Sequence, residues 1–321
     1  MKTLRVGVIG TNFIQDLFCE AAELVPEVDV VAVYSRKFDT GTAFAKKHGI
    51  KDVFTSLDDM LLSTTVDAVY IASPTFLHAE HTLRSLSMGK HVLCEKACTV
   101  TYDEFAQMRS AADKSGLVFL EAMRPAFDPM IEIFKDNLSR IGRVRRFKLE
   151  FCKYSSRYDK FKCGIVENAF DPTLKNSALS DIGVYPLWLA ISLFDCGCEY
   201  KSSSVFLENG FEASGEILLS YGDFVGTVSY SKITEGHSDS FVEGELGTLF
   251  IDKISVPSKI KLVKNNGECE LIASSDARNN MVHEIEYFRD CVFGLKSTKK
   301  YLDETESVMR IIDGISKNFF D

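Results

Sequence analysis

The 321-residue sequence lacks any run of the roughly 20 apolar residues that a bilayer span requires. Its longest candidate, residues 185–194, is about half that length and reads as a core helix. Residues 1–3 lead straight into a strand pattern, which leaves no room for a signal peptide and sets the expectation of a cytoplasmic protein without a membrane partner. The nine cysteines are scattered; Cys196-Gly197-Cys198 is a close pair, but no second pair completes a zinc site, so free thiols and no metal are expected. Positive charge is in deficit. Lys and Arg number 37 against 46 Asp and Glu, a net charge of -9, which argues against a nucleic-acid partner. There are no internal repeats and no low-complexity tracts. What is present, 45% hydrophobic and 26% charged residues, is the composition of an ordinary globular chain, and the length favours about two domains.

Up to about Glu121 the pattern alternates strand and helix. Strands are expected at residues 4–9, 28–34, 66–71, 91–94 and 117–120, and helices at 40–48, 76–88 and 101–115, with Gly89 and Gly116 as stops. The run VDVVAVY at 28–34 reads as a strand buried on both faces. Repeated strand–helix units imply a doubly wound parallel sheet, a Rossmann domain over residues 1–121. Residues 122–321 then read as an α+β domain for substrate binding and dimerisation. It has helices at 129–138 and 180–194, a strand at 144–153, and a large, mostly antiparallel sheet over 200–263. Two closing helices, 279–293 and 304–319, are free to pack back on the first domain.

The first turn departs from the dinucleotide fingerprint G-x-G-x-x-G/A. From Gly10 the chain reads G-T-N-F-I-Q, so one glycine of three survives. Asn12 tolerates positive φ better than other substitutes, and Gln15 is expected to push the helix outward. A turn that binds nothing is the alternative. The tip of the second strand, Tyr34-Ser35-Arg36-Lys37, carries no carboxylate. An NAD site places Asp or Glu there, whereas Arg suits a phosphate, so NADP is favoured over NAD. The alternative is a solvated basic turn.

The segment IASPTFLHAEHTLRSLSMGKHVLCEKA, residues 71–97, resembles the Gfo/Idh/MocA oxidoreductases through Pro74, His78, Gly89-Lys90-His91-Val92 and Glu95-Lys96. ALSDIGVYPLWLA at 178–190 is similar to that family's D-x-G-x-[HY] helix, and GELGTLFID at 244–252 to its sheet signature. The three segments lie in order along the chain. The resemblance implies hydride transfer between a nicotinamide and a sugar, polyol or related cyclic alcohol or carbonyl. It implies catalytic roles for Lys96, Asp181 and Tyr185. Lys96, with a lowered pKa, would meet the reacting hydroxyl; Tyr185, tuned by Lys96, would trade the proton; Asp181 would orient substrate or lysine. Gly183 would admit a close neighbour. Cofactor contacts are expected from Gly10, Thr11, Asn12, Phe13, Ile14, Ser35, Arg36, Ser73, Pro74, Thr75, His78, Glu95 and Lys96. His78 is read as lining the cofactor site and His81 as surface. Arg124 is expected either to grip a polar substrate or to be an exposed linker residue.

Three departures from the resemblance matter. Ala97 stands where the family usually has proline, so no unusual geometry is expected after Lys96. Lys175-Asn176-Ser177 replaces a glycine-rich turn, and Asn12 and Gln15 replace glycines. They keep a second hypothesis open, a non-catalytic dinucleotide-binding regulator or interaction protein. Either way a homodimer or dimer of dimers is expected, because apolar positions Val205, Leu207, Ile217, Leu219, Val225 and Val228 alternate on the sheet.

Overall fold

In the computed structural model, residues 3–276, 279–317 and 319 are described. The chain begins with β1 (Leu4–Ile9), α1 (Phe13–Ala22), β2 (Val28–Tyr34), α2 (Phe38–His48), β3 (Asp52–Phe54), α3 (Leu57–Leu62) and β4 (Ala68–Ile71). It continues through α4 (His78–Ser87), β5 (His91–Glu95), α5 (Tyr102–Ser115) and β6 (Phe119–Ala122). The six strands form one parallel sheet in the order β3-β2-β1-β4-β5-β6. The order reverses direction beside β1, where ligands bind in doubly wound sheets. β4 is wholly buried, as a central parallel strand should be. β2 is not. Its first four residues are partly exposed, because β3 pairs only with Ala32–Tyr34 and leaves the rest of that flank open. β3 and α3 escaped the sequence reading, being only three and six residues long.

The second part comprises α6 (Pro129–Asp136), β7 (Val144–Cys152), α7 (Ser156–Lys162), α8 (Val184–Phe194), β8 (Glu199–Phe206), β9 (Glu212–Ser220), β10 (Val225–Ser231), β11 (Ser240–Gly244), β12 (Gly247–Ile251), β13 (Lys259–Lys264) and β14 (Cys269–Ser274). α9 (Met281–Val292) and α10 (Lys299–Ser316) follow. Eight strands form a sheet in the order β14-β13-β12-β11-β7-β10-β9-β8, antiparallel except for β7 with β10. Residues 184–191 of α8 are all buried, which explains a helix apolar on every side. Ile217, Leu219 and Val228 are fully buried, so they belong to the core and not to an open face, while Val205 and Val225 stay exposed. The expected positions therefore divide between the two faces of the sheet: Val225 and Val228, three apart on β10, point to opposite sides.

The chain divides into two compact units: residues 1–124 with 279–303, and 125–278 with 304–321. α9 therefore belongs to the N-terminal unit, where it packs on α1. Among the described residues no helix is long and apolar enough to cross a membrane.

Candidate active site

In the N-terminal unit, Gly10 leaves β1 with φ +113, a conformation only glycine adopts easily. A side chain there would also strike the Gln15 amide. Asn12 does not use positive φ. It is extended at φ -91 and caps α1, accepting from the Ile14 N–H at 2.9 Å. Gln15 completes the capping box by accepting the Asn12 N–H at 3.0 Å. Gln15 is also fully buried, and its amide donates to the carbonyls of Ile9 (2.9 Å) and Ala72 (3.0 Å). Gln15 thus fills the space between α1 and the sheet with a hydrogen-bonded side chain. Two fingerprint glycines are replaced by a hydrogen-bonded knot that ties β1, α1 and the end of β4 together.

Beside this turn lies a cleft of about 610 Å³. Of the expected cofactor residues, Gly10, Thr11, Asn12, Ser35, Arg36, Ser73 and Pro74 line it, joined by Tyr34, Lys37, Thr40 and His81. Phe13, Ile14, Thr75, His78, Glu95 and Lys96 are not in its lining. Ser35 is buried and its hydroxyl closes its own turn with Lys37. Arg36 and Lys37 are exposed, and α2 starts at Lys37 without a side-chain cap. The rim thus offers two cations and a bare helix N-terminus, an arrangement suited to an anion.

Neither histidine is a surface residue, and it is His81 that lines the cleft. His81 is 8% exposed, lines the cleft and bonds the Ser73 hydroxyl through Nδ1 at 3.0 Å. His78 is 2% exposed, with Nε2 on the Ser73 carbonyl (2.7 Å) and Nδ1 on that of Ala97 (3.0 Å). A neutral imidazole donates to only one of the two. Burial nonetheless pulls its pKa down to about 4, and we take the neutral form as dominant because the desolvation is complete. The Lys96–Ala97 peptide is cis, contrary to the expectation of ordinary geometry. Ala97 is fully buried, its carbonyl faces His78, and the following Cys98 N–H donates to Glu121 at 2.9 Å, so the surroundings hold the bond without a proline.

Glu95 is buried, accepting from the Tyr70 hydroxyl at 2.5 Å and from the Lys96 N–H at 3.3 Å; burial raises its pKa. Lys96 itself is half-buried. Arg124 is neither an exposed linker nor aimed into open space: its Nε and Nη2 donate to the Asn280 side-chain oxygen at 3.0 and 2.7 Å. Sequence reading missed Glu284, which is fully buried with no hydrogen-bond partner among the described residues. Burial, and then the charge of Glu95, push its pKa well up.

In the C-terminal unit a π-turn, Leu179–Gly183, runs into α8. Asp181 lies on it with its side chain 43% exposed, and Tyr185 is 7% exposed with its ring 5.5 Å from that of Phe151. Gly183 does admit a close neighbour, the ring of Tyr230; a Cβ there would sit 2.8 Å from it. Lys175 takes φ +55, a left-handed turn made without the glycine. Lys232, absent from the sequence reading, pairs with Asp181 at 2.9 Å.

The model of an oxidoreductase family with an NAD-binding Rossmann fold, Gfo/Idh/MocA, matches residues 4–123. The scyllo-inositol 2-dehydrogenase (NADP(+)) IolU of Bacillus subtilis is 40% identical over 285 residues, 89% of this chain and 87% of the relative. The chain belongs to the Gfo/Idh/MocA oxidoreductase family. Other similarities are weaker. Mouse trans-1,2-dihydrobenzene-1,2-diol dehydrogenase is 27% identical over 330 aligned positions, 98% of this chain and 96% of the relative. The 3-ketoreductase KijD10 from Actinomadura kijaniata, solved with NADP and TDP-benzene, superposes with TM-score 0.88 at 22% identity, covering 98% of this chain and 97% of that one. This last likeness bears on the fold alone.

Proposed function

We propose that the protein is an NADP-dependent dehydrogenase that moves a hydride between the nicotinamide and a CH–OH carbon of a polyhydroxylated ring, a cyclitol or a sugar. The observation that carries this reading is the 40% identity, over most of the chain, to an NADP-dependent inositol dehydrogenase. The cleft supports it: the Gly10 turn and the start of α1 suit a pyrophosphate, and Arg36 and Lys37 suit a 2′-phosphate at a strand tip without a carboxylate. Bound NADP would supply the hydride acceptor. The chain supplies position and proton handling. Lys96, directly after β5, is proposed to hydrogen-bond the reacting hydroxyl, and Tyr185 to take or give its proton. Asp181 orients these groups. His78 bonds the Ser73 and Ala97 carbonyls and Glu95 the Lys96 N–H, which holds the backbone around Lys96. Asn12 and Gln15 form a hydrogen-bonded turn, which supports an intact cofactor turn in place of the two missing glycines. A homodimer or dimer of dimers completes the proposal.

The test is NADP reduction, followed at the nicotinamide band, with a panel of inositols, aldoses and ketoses, run forward and in reverse. Lys96→Met and Tyr185→Phe should each lower kcat about 10²–10⁴-fold while cofactor Kd stays near wild type. Tight NADPH binding with no turnover on the panel would instead favour the regulator.

A further inference from the structure

The buried lysine beside Asp181 has no counterpart among the catalytic groups discussed so far. Lys232 follows β10 directly and is 4% exposed. Its backbone is held on both sides: the N–H donates to the Ala213 carbonyl, and the carbonyl accepts from Ser155, each at 2.9 Å. Its ammonium donates to the Ala169 carbonyl at 2.8 Å and meets Asp181 Oδ2 at 2.9 Å. It also sits over the rings of Phe170 and Phe211, 4.9 and 5.2 Å from their centres. Every contact is with a carboxylate, a carbonyl or an aromatic face, the three environments that compensate a cation taken out of water. Phe170 and Phe211 belong to a small apolar cluster with Phe161 and Ala213, so the cage is rigid.

We propose that Lys232 is a positioning residue of the active site: its ammonium fixes the Asp181 carboxylate and ties to it the turn at Asn168–Phe170. The carboxylate is 43% exposed on a π-turn, and the ammonium it meets is held in a buried cage. With one oxygen on a buried ammonium it keeps a single orientation, and displacements of about 1 Å near the chemistry cost up to about 10²-fold in rate. The same ammonium carries the chain segment that precedes the left-handed Lys175, so the shape of residues 168–177 and the aim of Asp181 are set together. This rests on the dehydrogenase reading for its kinetic consequence, and on the structure alone for the tie.

The experiment compares wild type with Lys232→Met, Lys232→Arg, Asp181→Asn and the Lys232→Met/Asp181→Asn double variant, by steady-state kinetics and by urea unfolding. Lys232→Met should lower kcat/KM about 10–100-fold, mostly through kcat, with NADPH Kd unchanged. Lys232→Arg, which keeps the charge, should recover most of the loss. The double variant should be little worse than Asp181→Asn in kcat/KM, because both changes break one link. Kinetic parameters of Lys232→Met within twofold of wild type, or losses that multiply in the double variant, would overturn the proposal. Should Lys232→Met fold poorly, the arginine variant and Asp181→Asn still report. Absence of wild-type turnover on the whole panel counts against the dehydrogenase reading; the unfolding cycle then reads the tie separately, and additive stabilities would refute it.

Discussion

On the proposed reading, cofactor choice turns on Arg36. It is exposed at the rim of the cleft, one position past a buried serine, and no carboxylate is among the residues that line the cleft. Hydrogen bonds to a charged partner contribute about 1.5–3 kcal/mol, equivalent to tenfold or more in affinity. Arg36→Glu should therefore weaken NADPH by at least that factor and leave NADH unchanged or improved, read by calorimetry with both cofactors. Equal affinity of the wild type for the two would contradict it. Gln15 shows what a fingerprint leaves out. Replaced by leucine, it keeps its bulk but loses its bonds to Asn12, Ile9 and Ala72. The expected loss is about 1–3 kcal/mol of stability, seen in urea unfolding, since buried backbone groups lose partners. A glycine consensus cannot reveal this; only the three-dimensional proximity of β4 to the turn does.

At the scale of elements, the long regular segments were legible because their apolar periods are clear, and the breaks between them were not. The π-turn entering α8 reads as plain helix in sequence, since Ser180, Asp181 and Gly183 carry no period of their own. Lys232 drew no reading from the sequence, because its surroundings come from Asp181, 51 positions earlier, and from two phenylalanines on other segments. Beneath the π-turn lies Glu212, 1% exposed, with Oε2 accepting the Leu179 N–H at 3.0 Å and Oε1 without a partner among the described residues. Burial raises its pKa to about 7 from an ordinary value of 4.5. A carboxyl whose pKa is raised on folding contributes its full stability below the unfolded value and loses it as pH rises through the folded one. The window is thus about pH 4.5 to 7, and the shift corresponds to about 3 kcal/mol. Glu212→Gln cannot ionise, so its stability relative to wild type should climb by that order between pH 5 and pH 8. Parallel unfolding curves at the two pH values would show that Glu212 does not titrate in this range.

At the scale of the whole molecule, the proposed homodimer is assigned to the exposed face of the C-terminal sheet. Residues paired across neighbouring strands share a face. One such row runs Lys201, Leu218, Thr227, Lys148, Phe241, Phe250, Lys261, Leu271 across all eight strands. Every member is exposed or half-exposed, in contrast to the buried Ile217, Leu219 and Val228 of the opposite face. The row is apolar and aromatic between lysines, and its charged neighbours are already paired, Arg146 with Glu243 at 2.6 Å and Lys148 with Glu150 at 2.5 Å. Such a face can meet its own copy about a two-fold axis without stranding a charge, because aromatic groups supply buried area and the flanking ions remain locally compensated. The sequence pointed to this sheet with residues from both of its faces, Val205 and Val225 on the exposed one and Ile217, Leu219 and Val228 on the buried one, since strand alternation does not say which face is covered. The expectation is a particle of twice the 35.9 kDa chain mass by light scattering at micromolar concentration. Leu218→Glu with Phe241→Glu should shift it to the monomer while leaving NADPH binding by the N-terminal unit intact. A wild-type protein that scatters as a monomer, or a double variant that stays dimeric, would place any assembly on another surface.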